Sequence, residues 1–199
     1  VFALLGGSMT SPTHAQPLDL LRSDLAAWNS LHSVGDSKNV SLVDVGLAGA
    51  NLAGANLADV DLTGADLSGA DLTDASLAGA NLASADLVGA DLTRADLTGV
   101  IAHDANFTGA YLTRAGLRDA DLTMAYLTST FLGHADLTGA DLSGAYMTGA
   151  YLGDADLSGA ILISAYLGKA NLTGANIVTA VLDGADLTEA TMPDGTSAH

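Results

Sequence analysis

The sequence predicts an all-β solenoid. Three observations carry that expectation: a large apolar residue at every fifth position, an Ala two residues before it, and turn-forming residues closing each five-residue unit. From Leu42 to Met192 the apolar position recurs 31 times without an insertion. Leu holds most of these positions, Phe107, Met147, Ile177 and Met192 are variants, and Ala102 is the one small exception. The preceding Ala gives way only to Val40, Val45, Val60, Val100 and Thr130. Between the two stands Asp or Asn in 17 of the 31 units (11 Asp, 6 Asn), as in Ala65-Asp66-Leu67-Ser68-Gly69.

A period of five matches neither the ~3.6 of a helix nor the alternation of a long strand. Within each unit Ala and Leu point one way, and the Asp or Asn between them points the other. Gly closes 14 of the 31 units, where it takes backbone conformations that other residues resist. Each unit is therefore one short extended side and one corner, and the chain winds into a coil. Stacked coils bury the Leu and Ala columns and pair their backbone groups with the coils on either side.

These units resemble the pentapeptide repeat family, over residues 40–192. The resemblance implies a right-handed quadrilateral β-helix with four units per coil. The aromatic residues fit a twenty-residue coil: all five tyrosines and Phe131 occupy the outward Asp/Asn slot. They fall as Tyr111, Phe131, Tyr151 and as Tyr126, Tyr146, Tyr166, each series spaced by 20. Such spacing stacks each series into a column. At ~4.8 Å per coil, nearly eight coils make a rod roughly 37 Å long.

The ends follow different rules. Residues 1–15 read as the remnant of a secretory signal: Val1-Phe2-Ala3-Leu4-Leu5 is apolar, and Thr13-His14-Ala15 offers a small residue for cleavage ahead of Gln16. Export to a secreted or periplasmic location is the expectation, with a cytoplasmic protein starting at Met9 as the alternative. Residues 16–39 supply a helical cap and connector. Leu18, Leu21, Leu25, Trp28 and Leu31 recur at three- and four-residue steps, so an amphipathic helix is expected over 17–32. It would cover the apolar disc of the first coil with Leu21, Leu25 and Trp28. The Trp28-Asn29 dipeptide is similar to one found on a helix ahead of the array in bacterial family members. After Met192 the polar tail of residues 193–199 is too short for a capping or dimerising helix. Either another subunit covers the last coil or the tail folds across it.

Composition narrows the chemistry. The chain of 199 residues carries 23 acids, 6 Lys and Arg, a net charge of −17 and no cysteine. That balance excludes direct nucleic-acid binding and disfavours an anionic membrane surface. The absence of cysteine excludes disulfides, zinc–thiolate sites, iron–sulfur clusters and a thiol nucleophile. No apolar run approaches the ~20 residues of a membrane span. His14, His32, His103, His134 and His199 show no metal-ligand spacing, and no nucleophile elbow or phosphate-binding glycine pattern is present. Neither an enzyme nor a cofactor site is expected.

Two surface features bear on function. The first is acidity. Some family members are acidic rods that resemble B-form DNA and occupy the DNA saddle of type II topoisomerases, so the resemblance offers a gyrase-directed DNA mimic as an alternative. Asn stands in the Asp slot in about a third of cases, which points instead to a slot that wants a hydrogen-bond acceptor beside a turn. The second is the pair of aromatic columns on adjacent sides, with Ile161 and Val181 extending apolar character onto a third. Tyr111, Tyr126, Phe131, Tyr146, Tyr151, Tyr166 and Ile161 are the candidate protein-binding residues, for an unidentified partner or for self-association. Self-association through the C-terminal end is a further possibility. Ladder packing for stability alone is the competing explanation. Arg94, Arg114 and His134 share one column beside this patch. The expected role is that of a non-enzymatic scaffold presenting an aromatic surface.

Overall fold

The computed structural model describes residues 15–32 and 40–198. Two short helices, α1 (Ala15–Ser23) and α2 (Leu25–His32), precede a right-handed quadrilateral β-helix. Every parallel bridge joins residues 20 apart, from Ser41–Asp61 to Asn171–Thr191. Four units therefore make one coil. The outward slots align as side I (41 to 181), side II (46 to 186), side III (51 to 191) and side IV (56 to 176).

Each side repeats one hydrogen-bonding scheme. The apolar residue and the corner residue donate forward, as Leu67 N to Asp86 O at 2.7 Å and Gly69 N to Val88 O at 2.9 Å. The outward residue donates back, as Asp86 N to Ala65 O at 2.9 Å. A further bond, Ala70 N to Leu67 O at 3.0 Å, closes the corner. Every corner from Asp44 to Glu189 lies in the left-handed region, and 16 of these 30 corners are not glycine. Repetition of the junctions overrides the preference of L-residues against that conformation.

The interior is filled by the Leu and Ala columns, almost all of them buried. Two of its irregularities lie together. Phe107, the one aromatic among the apolar positions, and Ala102, the one small residue, stand on consecutive sides of the same coil, and both are fully buried. One coil on, Thr130 replaces the usual Ala and is also fully buried; its hydroxyl donates to Phe107 O at 2.7 Å. No buried side-chain nitrogen or oxygen lacks a partner among the described residues.

The single helix expected over 17–32 is divided at Asp24. The Asp24 carboxylate accepts the N–H of Ala27 at 2.9 Å, which makes it the N-cap of α2. The chain stays compact through the break, because Asp24 N donates to Leu20 O at 2.8 Å and Trp28 N to Asp24 O at 3.0 Å. Leu21 and Trp28 are buried in the same cluster as the first coil, and Leu25 packs against it half-buried. Trp28 Nε1 donates to Asn56 O at 2.7 Å, and Asn29 both accepts from Asn56 N at 2.8 Å and donates to Gly54 O at 2.9 Å. The Arg22 guanidinium donates to Gly46 O.

Beyond Met192 the chain turns back on itself. Gly195 N donates to Met192 O, Met192 N to Thr196 O and Ala198 N to Ala190 O, and Thr191 and Ser197 form an antiparallel bridge. Residues 193–198 thus run alongside one side of the last coil. The segment 1–14, which holds most of the expected export signal, lies outside the described residues.

Candidate interaction surface

The outward slot has a definite local chemistry. All 17 Asp and Asn residues in it accept, through Oδ1, the backbone N–H two residues on. Where Thr or Ser follows, its hydroxyl often donates to the same oxygen, as Thr63 to Asp61 at 2.6 Å and Thr73 to Asp71 at 2.7 Å. These bonds hold several carboxylates below the usual range. At Asp66 and Asp186 the cause is first the Ser68 or Thr188 hydroxyl and then the same residue's N–H. At Asp136 burial pushes the carboxyl up, but donation from Thr138 and Arg118 outweighs it. Asn makes the same N–H bond as Asp, so the bond needs an acceptor and not a charge.

Six aromatic side chains break that scheme. Tyr111, Phe131 and Tyr151 stack on side III with centroids 4.9 Å apart and planes within 5°. Tyr126, Tyr146 and Tyr166 stack on side II at 5.0 Å with planes within 10°. The outer ring of each stack is 46–49% exposed, while Phe131 and Tyr146 are half-buried between their neighbours. Both faces of each middle ring are covered, so the ladders present edges and hydroxyls outward.

At all six positions the N–H two residues on makes no hydrogen bond among the described residues. The third position also changes. Gly appears there in only three units of the array, Gly133, Gly153 and Gly168, and each follows an aromatic slot. With no carboxylate to meet, the hydroxyl of Thr or Ser loses its partner.

Apolar surface continues around the corner between sides I and II. Met124 occupies this corner, 45% exposed, and its sulfur lies over Gly144, 2.5 Å from where a Cβ on that glycine would sit. Gly144 therefore admits the thioether. On side I stand Ile101 and Ile163, both more than 40% exposed, the half-buried Ile161, and Val181. Met124 and Ile163 lie outside the outward slot, and their signal in the sequence is an apolar residue at a corner or third position that elsewhere is small or polar.

The column beside the side III ladder runs Asp74, Arg94, Arg114, His134, Asp154. Arg94 pairs with Asp74 through two nitrogens at 2.6 and 2.7 Å, and the Asp74 contact raises its guanidinium pKa further. His134 stands 3.9 Å from Asp154, and Arg118 pairs with Asp136 at 2.5 Å. The described residues hold no cluster of His, Asp and Glu that could bind a metal ion, and no helix among them is long and apolar enough to cross a membrane.

The family model for pentapeptide repeats matches in eight copies, over residues 41–77, 75–114, 115–154 and 150–192. The chain belongs to the pentapeptide repeat family. Among solved structures, this pentapeptide repeat protein is 31% identical to HetL, a family member from the cyanobacterium Nostoc involved in heterocyst differentiation regulation. That match covers 85% of this chain and 97% of HetL, with a TM-score of 0.46. A pentapeptide repeat protein from the Arabidopsis thaliana thylakoid lumen is 36% identical over 45% of this chain and 59% of its own, with a TM-score of 0.35. QnrB1, a plasmid-mediated fluoroquinolone resistance protein, is 19% identical over 73% of this chain and 90% of its own, with a TM-score of 0.36. No curated protein matches the chain.

Proposed function

We propose that this pentapeptide repeat protein is an exported, non-enzymatic scaffold whose two aromatic ladders and adjoining Met124 and Ile161 form a protein-binding surface. One observation carries the reading. The ladders give up six slots in which Asp or Asn would satisfy a neighbouring N–H, and gain four ring stacks in return. A side-chain hydrogen bond of this kind and a ring stack are each worth about 1 kcal/mol. Stability alone therefore gives no reason for the exchange, whereas a contiguous exposed aromatic patch is what a binding surface needs. The Asp columns keep the remaining surface soluble. The acceptor role of the slot accounts for where the Asp and Asn residues stand without a topoisomerase as target.

Replacing Tyr146 with Asp tests the surface. The variant interrupts the side II ladder at its middle ring and restores an acceptor for the N–H of Thr148. The expected result is an unchanged β-helix with loss of either self-association, read by sedimentation, or of a cross-linked partner. Unchanged mass together with unchanged cross-linking would refute the proposal.

Export rests on Val1–Leu5 and the Thr13-His14-Ala15 pattern. Mass spectrometry of the native protein from fractionated cells is expected to find Gln16 as the first residue, in an extracytoplasmic fraction. A cytosolic protein starting at Met9 would remove the export reading. It would make a supercoiling titration with DNA gyrase the next experiment.

A further inference from the structure

Side III carries two outward columns, the slot and the third position two residues on. Along its ladder the second column is stripped to glycine, with Gly133 after Phe131 and Gly153 after Tyr151. The fold does not require these glycines. Neither has a left-handed φ, and a Cβ added to them would stay 3.7 and 3.8 Å from the nearest atom outside their chain neighbours, which is ordinary contact. Loss of the slot acceptor does not require them either, because other units without Asp or Asn keep a side chain there, as Ala78, His103, Arg118, Thr128 and Ile163. Side II has one such glycine, Gly168, at the end of its ladder. Phe131 is a second departure. It is the one stacked ring without a hydroxyl, and it stands at the middle of the side III ladder. The centre of an interface, where water is excluded, favours such a ring.

We infer that side III is a self-complementary face, covered by side III of a second copy of this chain, with the two rods parallel about a two-fold axis along their length. The inference rests on the reading of side III as part of the binding surface. An axis in that direction keeps each coil level with its counterpart and exchanges the two columns. Phe131 and Tyr151 of one copy then seat over Gly133 and Gly153 of the other. Asp71, Asp91 and Asn171 face the hydroxyls of Thr73, Thr93 and Thr173. An antiparallel pair would instead set slot on slot, ring edge on ring edge, and leave a gap along the glycines. Charge favours the parallel pair as well. Arg94 and Arg114 of one copy border Asp91 of the other, and Arg114 has no ion pair among the described residues. A face roughly 37 Å long and about 14 Å wide buries on the order of 500 Å² per copy, which makes the dimer weak and concentration-dependent.

The test is sedimentation velocity of the full chain over a range of concentrations, in about 0.15 M salt to screen the net charge of −17 on each copy. The unmodified protein is expected to pass from monomer to dimer. Gly133→Thr with Gly153→Thr installs the residue already present at Thr73, Thr93 and Thr113 of the same column. The rod has room for it, so the β signal and melting temperature should hold while dimerisation weakens about tenfold or more. Gly168→Thr, the same change on side II, should leave the dimer intact. A spin label on Asn51→Cys, in the first coil, should meet its counterpart at close range. An antiparallel pair centred on Phe131 would hold the two labels about 38 Å apart. A dimer that survives the double glycine variant, yields to Gly168→Thr or keeps its labels apart overturns the inference. So does a protein that stays monomeric throughout. The binding surface itself then stands if Tyr146→Asp still removes a cross-linked partner, and falls with the inference if it does not.

Discussion

Phe107 and Ala102 show how far a single position is constrained in this interior. Every other apolar position holds an aliphatic residue or methionine, and the only large ring sits next to the only small side chain. The pair reads as a volume exchange, the ring of Phe107 filling what a leucine at 102 would occupy. Phe107→Leu should then open a void at a cost of about 1–2 kcal/mol. Ala102→Leu should overpack the same coil at a cost of about 1–3 kcal/mol. The double variant restores the repeat consensus and should return to within about 1 kcal/mol of the starting protein, giving a coupling energy clearly different from zero. Urea denaturation of the four proteins measures it, and additive losses would show that the two replacements arose independently.

At the scale of the element, the coil was legible in the sequence because one residue type at one spacing determines it. The recurring Leu and Ala gave the side, the closing Gly gave the corner, and the 20-residue recurrence of the tyrosines gave the coil length that the bridges display. The helical segment was less legible. Its leucine spacing continues through Asp24, and only the capping bond to Ala27 shows that two helices are present. The contacts of Arg22 and Asn29 with the first coil were not readable, because they use side chains to replace backbone partners and leave no periodic trace. Met124 shows in the sequence only as an apolar residue at a corner, outside the outward-slot pattern. The aromatic ladders themselves were visible as spacing, but the bonds they forgo depend on the Asx geometry of their neighbours. That geometry makes the Tyr146→Asp variant informative about stability too. A regained bond to the N–H of Thr148 offsets two lost stacks, so its melting temperature should fall only slightly while association is lost.

The whole molecule carries its charge in a way that sets its response to acid. Asp66, Asp74, Asp136, Asp156 and Asp186 are all held below the usual carboxylate range by bonds that exist only in the coil. For a carboxyl depressed on folding, the stabilisation is complete above the unfolded value of about 3.9 and is lost as pH falls through the lower folded value. The melting temperature should therefore hold between pH 7 and about pH 5 and drop below about pH 4. Relief of repulsion among the Asp columns works in the opposite direction. It is screened at the surface and is expected to be the smaller term. A melting temperature that rose on acidification past pH 4 would show that repulsion dominates.

The junction bonds all join residues of successive coils, and they therefore lie along the axis of the rod. A load applied between the two ends pulls on them lengthwise, so they open in succession and never share the force in shear. Drawn out by its termini, the rod should unreel from an end one coil at a time. Each yielding coil frees 20 residues and adds roughly 70 Å of chain. Pressed or pushed from the side the same stack resists as a unit. It is a stiff spacer that is also a mechanically weak tether, a combination suited to a part that must hold surfaces apart but never bear tension.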